Sequence, residues 1–303
     1  MSTDLEVAPC PMGCPVADVV VCISKDLIHG VGGEFQVVRC EQCALVRTNP
    51  RPTADDIGAY YPAEYSPHAT LSRTAGWRSK LQALAGLRDH WLPDIPPGHV
   101  LEIGCANGDF LVHMKSLGWT VEGIEPGSVP AGVAGSKGLH IQNTTVESAE
   151  PPTQPADLVV AWMALEHFHH PVDALRKLAG WSAADASLVV SLPNLNGLSF
   201  RLFERYWYDL DVPRHLYHFT PETATSMLAA SGWRVERVVY QRSVRELALS
   251  FSFWISARSK DARISRWSSW AANSSLASYV LVPLGYFLAW RKKTRMTVWA
   301  KRI

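Results

Sequence analysis

Leu101-Glu102-Ile103-Gly104-Cys105-Ala106-Asn107-Gly108-Asp109 is the stretch on which the fold turns. An apolar run ends there in a turn of small residues, and a helical period begins as the turn closes. Gly104 and Gly108 let the backbone pass close to a ligand, and Ala106 is nearly as small. Before it, the breakers Pro93, Pro96, Pro97 and Gly98 precede a strand over 99–103. After it the periods alternate: helix 109–117, strand 120–124, helix 129–137, strand 139–142, then strand 158–162, helix 172–181, strand 187–192, helix 221–231 and strand 234–240. A last strand is expected over 296–300, after a long apolar insertion. Strands alternating with helices call for an α/β domain with a mainly parallel sheet covered on both faces.

Ligands of such sheets bind outside the carboxyl ends of the strands, so the 103–109 turn is the place to look. A dinucleotide fingerprint wants G-x-G-x-x-G, but its second and third glycines are replaced by Ala106 and Asp109. A phosphate gains nothing beside Glu102 and Asp109, whereas a phosphate-free nucleoside bearing a cationic sulfonium does. Twenty-one residues beyond Gly104, at the end of the second strand, stands Glu125, whose carboxylate can accept hydrogen bonds from both ribose hydroxyls. A glycine turn alone signals only a tight bend; the joint arrangement is what carries the reading.

The N-terminal segment lacks a basic stretch followed by an apolar core, so no secretory signal is read and a cytoplasmic, reducing location is expected. There, paired cysteines favour metal over disulfide. Cys10 and Cys14 have three residues between them, Cys40 and Cys43 have two, and 25 residues separate the pairs. That spacing predicts a structural zinc ribbon over 1–50, with free thiols as the plain alternative. Cys22 remains a substitute ligand, and otherwise Cys22 and Cys105 are structural. Alternation over 34–39 suggests a short strand into the second pair. Residues 51–97 are expected to be a linker with a helical period over 71–91, in which Tyr60, Tyr61 and Tyr65 read as core or ribbon-packing aromatics. The remaining domain is placed at 98–303.

The 101–110 motif, Glu125, Ala164-Leu165-Glu166-His167 and Leu192-Pro193-Asn194 resemble class I S-adenosylmethionine-dependent methyltransferases. Cys-x3-Cys, Arg39-Cys40-Glu41-Gln42-Cys43, Asn49-Pro50-Arg51-Pro52 and Pro213-Arg214-His215-Leu216 are similar to a bacterial subgroup with an N-terminal zinc ribbon, whose members often serve cell-surface glycan or natural-product pathways. The resemblance implies a Rossmann-like sheet of seven mostly parallel strands, the last antiparallel. It further implies Glu102, Gly104, Cys105, Ala106 and Gly108 at the methionine portion of S-adenosyl-L-methionine, Glu125 at its ribose, Thr145 with Val146 at the adenine edge, and a lid helix within 51–97 whose Tyr60, Tyr61 and Tyr65 would cover the cofactor. Some related quinone O-methyltransferases carry a further acid three positions before the Glu of their Glu-His pair and use a divalent metal. Met163 stands at that position here, against such a metal.

Methyl transfer to oxygen or carbon needs a base with a pKa near neutrality, and histidine fits best. Glu166 and His167 follow the fourth strand, and His215 lies in the long loop after the fifth. For His167 the alternative is a helix cap, and for His215 a structural anchor. His169 and His170 read as exposed loop residues and His218 as structural.

The net charge of +1 gives no general affinity for nucleic acid. Yet from residue 241 onward twelve Lys or Arg face only Glu246 and Asp261, a balance of +10. The insertion 244–293 is apolar, rich in Trp and basic, but its last apolar run is short for a membrane span and is interrupted by Pro283. Two readings follow: peripheral docking on an anionic membrane at the inner face, bringing the site to a lipid-linked or amphiphilic acceptor, or helices that cap the sheet or form a dimer. The function expected is methyl transfer to a small-molecule, sugar or lipid-linked acceptor. The alternative is a catalytically silent, cofactor-binding protein that acts as a partner-binding module. Acceptor and oligomeric state are not legible.

Overall fold

A computed structural model describes residues 4–61, 94–241, 244–259, 261 and 294–303. The helical period over 71–91, Tyr65, and most of the basic insertion lie outside the described residues. The strands are β1 (Leu5–Glu6), β2 (Asp18–Ser24), β3 (Phe35–Cys40), β4 (Val46–Thr48), β5 (Arg51–Pro52), β6 (His99–Ile103), β7 (Thr120–Ile124), β8 (His140–Gln142), β9 (Ala156–Trp162), β10 (Ser182–Pro193), β11 (Tyr217–His218), β12 (Trp233–Gln241) and β13 (Arg295–Arg302). The helices are α1 (Asp109–Ser116), α2 (Ser128–Ser136), α3 (Pro171–Gly180), α4 (Leu198–Phe203), α5 (Pro221–Ala229) and α6 (Val244–Arg258). The described parts of 1–62, 192–226 and 239–296 form one compact unit, and those of 63–191, 227–238 and 297–303 form another.

The second unit is organised on a seven-stranded sheet in the order β12-β13-β10-β9-β6-β7-β8. It is the mostly parallel sheet that the alternating periods predict, with the antiparallel last strand that the resemblance implies. β6 is flanked by parallel β7 and β9, and all five of its residues are buried, as a strand covered on both faces must be. α1 follows from Gly108, which takes the left-handed conformation and hands the chain to Asp109, an acid favoured in the first turn. Its Leu111 and Met114 bury against Val100, Leu158, Val160 and Val189, each such side chain contributing roughly 2 kcal/mol. α3 starts on Pro171, whose missing N–H costs nothing at that position, and buries Val172, Leu175, Leu178 and Ala179 along one stripe. β10 begins at Ser182, five residues before the expected strand, because it pairs once with β9 there, slips, and resumes at Ser187.

The first unit holds a four-stranded antiparallel sheet in the order β11-β4-β3-β2, and β1 pairs with β5. Its core gathers Phe35, Val37, Val46, Tyr60, Trp207, Leu210 and Val212. Tyr60 is buried with its ring edge-on to Phe35 at 5.7 Å, a core position. Residues 217–218, read as loop from sequence, form the strand that completes this sheet beside Val46 and Arg47. A two-residue strand is too short to leave a period, and it is fixed by distant partners. The Arg51 guanidinium donates to the Tyr217 hydroxyl at 3.0 Å, and Thr48 donates to the His215 carbonyl at 2.8 Å.

Arg214 ties the unit together. Its fully buried guanidinium donates twice to Asp26, at 2.7 and 2.9 Å, to Asp211 at 3.0 Å and to the Tyr60 carbonyl at 2.9 Å. Asp26 in turn accepts the backbone N–H groups of Ile28, His29 and Val31.

Candidate functional site

The carboxyl ends of β6, β7, β8 and β9 carry the turns singled out in the sequence, all within the second unit. Gly104 sits at φ 71° and Gly108 at φ 72°, a region closed to most side chains. A Cβ at Gly108 would lie 2.4 Å from Leu139 Cδ1, so this position admits only glycine without local movement. Between them Ala106 holds φ 49°, and Met163 holds φ 52° after β9. Non-glycine residues kept in this region cost about 1–3 kcal/mol each and gather at ligand-binding turns.

Glu125 clamps the first turn. Its two carboxylate oxygens accept the N–H of Ala106 at 2.8 Å and of Gly127 at 2.7 Å. Each oxygen retains a second lone pair. Glu102 is buried beneath the same turn, and burial, then the charges of Glu125 and Asp109, push its carboxyl well above the usual range. One of its oxygens, Oε2, meets no hydrogen-bond partner among the described residues. A buried carboxylate so placed is stabilised by a cation, which is what the methionine end of S-adenosylmethionine brings. The acids and the glycine cradle therefore fit that cofactor. Lys137 covers the rim, donating to Asp109 at 2.5 Å and to the Asn107 carbonyl at 2.6 Å. Cys105 is buried under the turn with its thiol pushed up, first by burial and then by Glu102.

Thr145 is exposed and Val146 is buried, and Thr145 accepts the N–H of Ala149 at 3.0 Å in a turn after β8. Sequence reading missed Asn143, whose amide donates to the carbonyls of Glu125 at 2.8 Å and Pro126 at 3.1 Å, fastening that turn to the acidic one. An Asn one residue past a strand, level with Glu125, was the available signal.

Glu166 and His167 share one helical turn, Leu165–His167, after β9, with Glu166 fully buried and His167 half-buried. His169 and His170 follow, the second exposed. His215 belongs to the first unit. Its Nδ1 lies 2.8 Å from the Asp209 carbonyl, and its Nε2 lies 3.7 Å from an Asp211 carboxylate oxygen. A carbonyl only accepts, so Nδ1 carries the proton in the neutral ring and Nε2 is the basic nitrogen. His218 is different. Burial, aided by His215, pushes it down to about 3, so it stays neutral beside Thr48.

The Sγ atoms of Cys10, Cys14, Cys40 and Cys43 all lie within 4.8 Å of one another, and Cys10 and Cys43 approach to 3.5 Å. Four thiolates about 2.3 Å from one ion would stand about 3.8 Å apart, so this set could hold a zinc. Burial alone would raise the Cys40 thiol, but the backbone N–H groups of Cys43 and Gln42 outweigh it and bring it down to about 7. Cys22 stands apart from the cluster, half-buried on β2 against the apolar core, its thiol raised to about 11 mainly by burial.

A family model described as a methyltransferase domain matches residues 72–238, more than half of the chain. The chain is 32% identical over 113 residues to a ubiquinone biosynthesis O-methyltransferase of Hahella chejuensis, covering 35% of this chain and 48% of that protein. A namesake from Salmonella paratyphi A is 31% identical over 108 residues, covering 33% and 45%. The chain thus spans about half the length of the curated relatives it matches. Among solved structures, an S-adenosylmethionine-dependent methyltransferase from Mesorhizobium loti aligns with TM-score 0.49 and 15% identity, over 74% of this chain and 98% of that one. Another from Archaeoglobus fulgidus aligns with TM-score 0.47 and 18% identity, over 74% and 94%.

Proposed function

The chain belongs to the methyltransferase-domain family of class I, S-adenosylmethionine-dependent enzymes, and on that premise we propose that it methylates an oxygen of a small or lipid-linked amphiphilic acceptor. The two matched relatives are O-methyltransferases by name, which favours oxygen over carbon. The observation that carries the reading is the buried Glu102 oxygen that meets no hydrogen-bond partner among the described residues, beneath a turn clamped by Glu125. In this reading Glu102 faces the cationic end of the cofactor, Gly104, Cys105, Ala106 and Gly108 shape its cradle, Glu125 takes the ribose hydroxyls, and Thr145 with Val146 border the base. The cofactor, when bound, supplies a methyl carbon already activated by its sulfonium. What remains for the chain is to align the acceptor, exclude water and remove a proton. We assign proton removal to His167, turned by Glu166, or to the Nε2 of His215.

Calorimetric titration tests this. S-adenosylhomocysteine should bind and NAD should not, and Glu125→Ala should weaken binding roughly a hundredfold, since two hydrogen bonds to a charged acceptor are lost. Binding of NAD alone, or an unchanged affinity in the variant, sinks the assignment. Replacing the histidine that acts as base by Ala should lower kcat about a hundredfold with S-adenosylhomocysteine affinity kept. Turnover on no acceptor, with tight binding intact, would favour the silent module instead.

Residues 1–50 form the zinc ribbon in this reading, with Cys10, Cys14, Cys40 and Cys43 closing a structural site; 51–97 form the linker and lid, and 98–303 the methyltransferase domain. A cytoplasmic protein that approaches the inner membrane face fits the amphiphilic acceptor. No helix among the described residues is long and apolar enough to cross a membrane.

A further inference from the structure

Helices α4 and α6 and the turn 204–206, all in the first unit, place an unusual set of side chains on one surface. Leu202 is 52% exposed and Phe251 is 47% exposed, although both are apolar. Phe251 stacks on Trp254 at 6.0 Å and meets Phe203 edge-on at 6.4 Å. Arg258 lies over the Trp254 ring at 4.3 Å and over Tyr206 at 5.6 Å, and Arg205 lies over Tyr206 at 5.3 Å. Arg201, Arg205 and Arg258 are exposed here, with Glu204 among them and Asp261 just beyond the helix end as the nearby exposed acids. The sequence that continues from this helix, residues 259–293, adds Lys260, Arg263, Arg266, Arg291, Lys292 and Lys293 against one acid, Asp261.

Cations ordered over aromatic rings beside bare aliphatic and aromatic side chains suit an interface where one layer is charged and the next is oily. Guanidinium groups there meet headgroup phosphates, while Trp, Phe and Leu enter the upper acyl region. A neutral or basic protein partner has no complement to offer such a set of cations. An anionic phospholipid surface does, because its potential attracts each basic side chain within a Debye length. We infer that the surface formed by Leu202, Arg205, Tyr206, Phe251, Trp254 and Arg258 docks this protein on anionic phospholipid bilayers. The inference rests on the amphiphilic-acceptor reading above, which it supplies with a docking face.

Sedimentation of the full chain with phosphatidylcholine vesicles, with and without phosphatidylglycerol, tests it. The wild type should sediment with the anionic vesicles at low salt, release at high salt and stay in solution with neutral ones. The double change Arg205→Glu with Arg258→Glu should lower partitioning at least about tenfold. Phe251→Ser, a smaller change at an exposed site, should lower it as well. An unchanged thermal unfolding profile certifies that both variants fold, and S-adenosylhomocysteine affinity, unchanged in both, reports on the methyltransferase reading separately. No sedimentation of the wild type, equal sedimentation with neutral vesicles, or full binding by both variants would overturn the inference.

Discussion

Cys40→Ser is expected to abolish the zinc binding proposed for the first unit and to unfold the β2–β3–β4 sheet. Cys40 ends β3 and is buried, with β2 starting opposite it at Asp18. The second pair therefore fixes the end of the sheet, and the first pair brings in the segment before β2. Metal binding of this kind contributes about 10 kcal/mol or more in small zinc modules, far above what a sheet with an exposed β2 would supply from burial alone. Elemental analysis should give one zinc per chain in the wild type and none in the variant. Thermal unfolding should show an early transition in the variant and in wild type treated with chelator. A metal-free wild type, or a variant that melts with the parent, would refute the assignment of these four thiols.

Arg214→Met should cost about 3–5 kcal/mol without touching the four cysteines. The arginine is fully enclosed, and so is Asp26, while Asp211 is nearly so. Burial by itself would raise the Asp26 carboxyl, yet the hydrogen bonds from Arg214 and the backbone hold it below its ordinary value. Without Arg214 two buried carboxylates lose their cation, and the turn that Asp26 organises from Ile28 to Val31 loses its brace. The loss should read as a lower urea midpoint, and it should shrink in the double variant that adds Asp26→Asn, since the buried charge is then gone. Equal destabilisation in single and double variants would mean that the charge is not what Arg214 compensates.

How much of this was open to sequence reading depends on period. The parallel sheet announced itself because strands covered on both faces are continuous apolar runs separated by helical ones, and β6 and β7 fall where the runs do. The cofactor turn was legible for a different reason. Its glycines are demanded by backbone angle, and its acids mark where the cationic end of the cofactor is proposed to sit. β2 went unread although Val19, Val20, Val21 and Ile23 are strongly β-forming. All four are exposed, so the strand shows no alternation of face. β11 could not be read at all, since nothing local makes Tyr217 and His218 a strand. Likewise Arg214 stood within a recognisable motif, but the acid it chiefly serves lies 188 residues away.

That last separation bears on how the chain is made. The edge of β4 is completed by partners 170 and 172 residues downstream, Tyr217 opposite Arg47 and His218 opposite Val46. At synthesis rates of about 5–20 residues per second, the N-terminal strands wait roughly ten to thirty seconds on the ribosome with that hydrogen-bonding edge bare. During the wait they are a template for any extended segment nearby. A ribosome stalled anywhere in the cofactor-binding half would release a polypeptide whose first sheet still lacks its final strand.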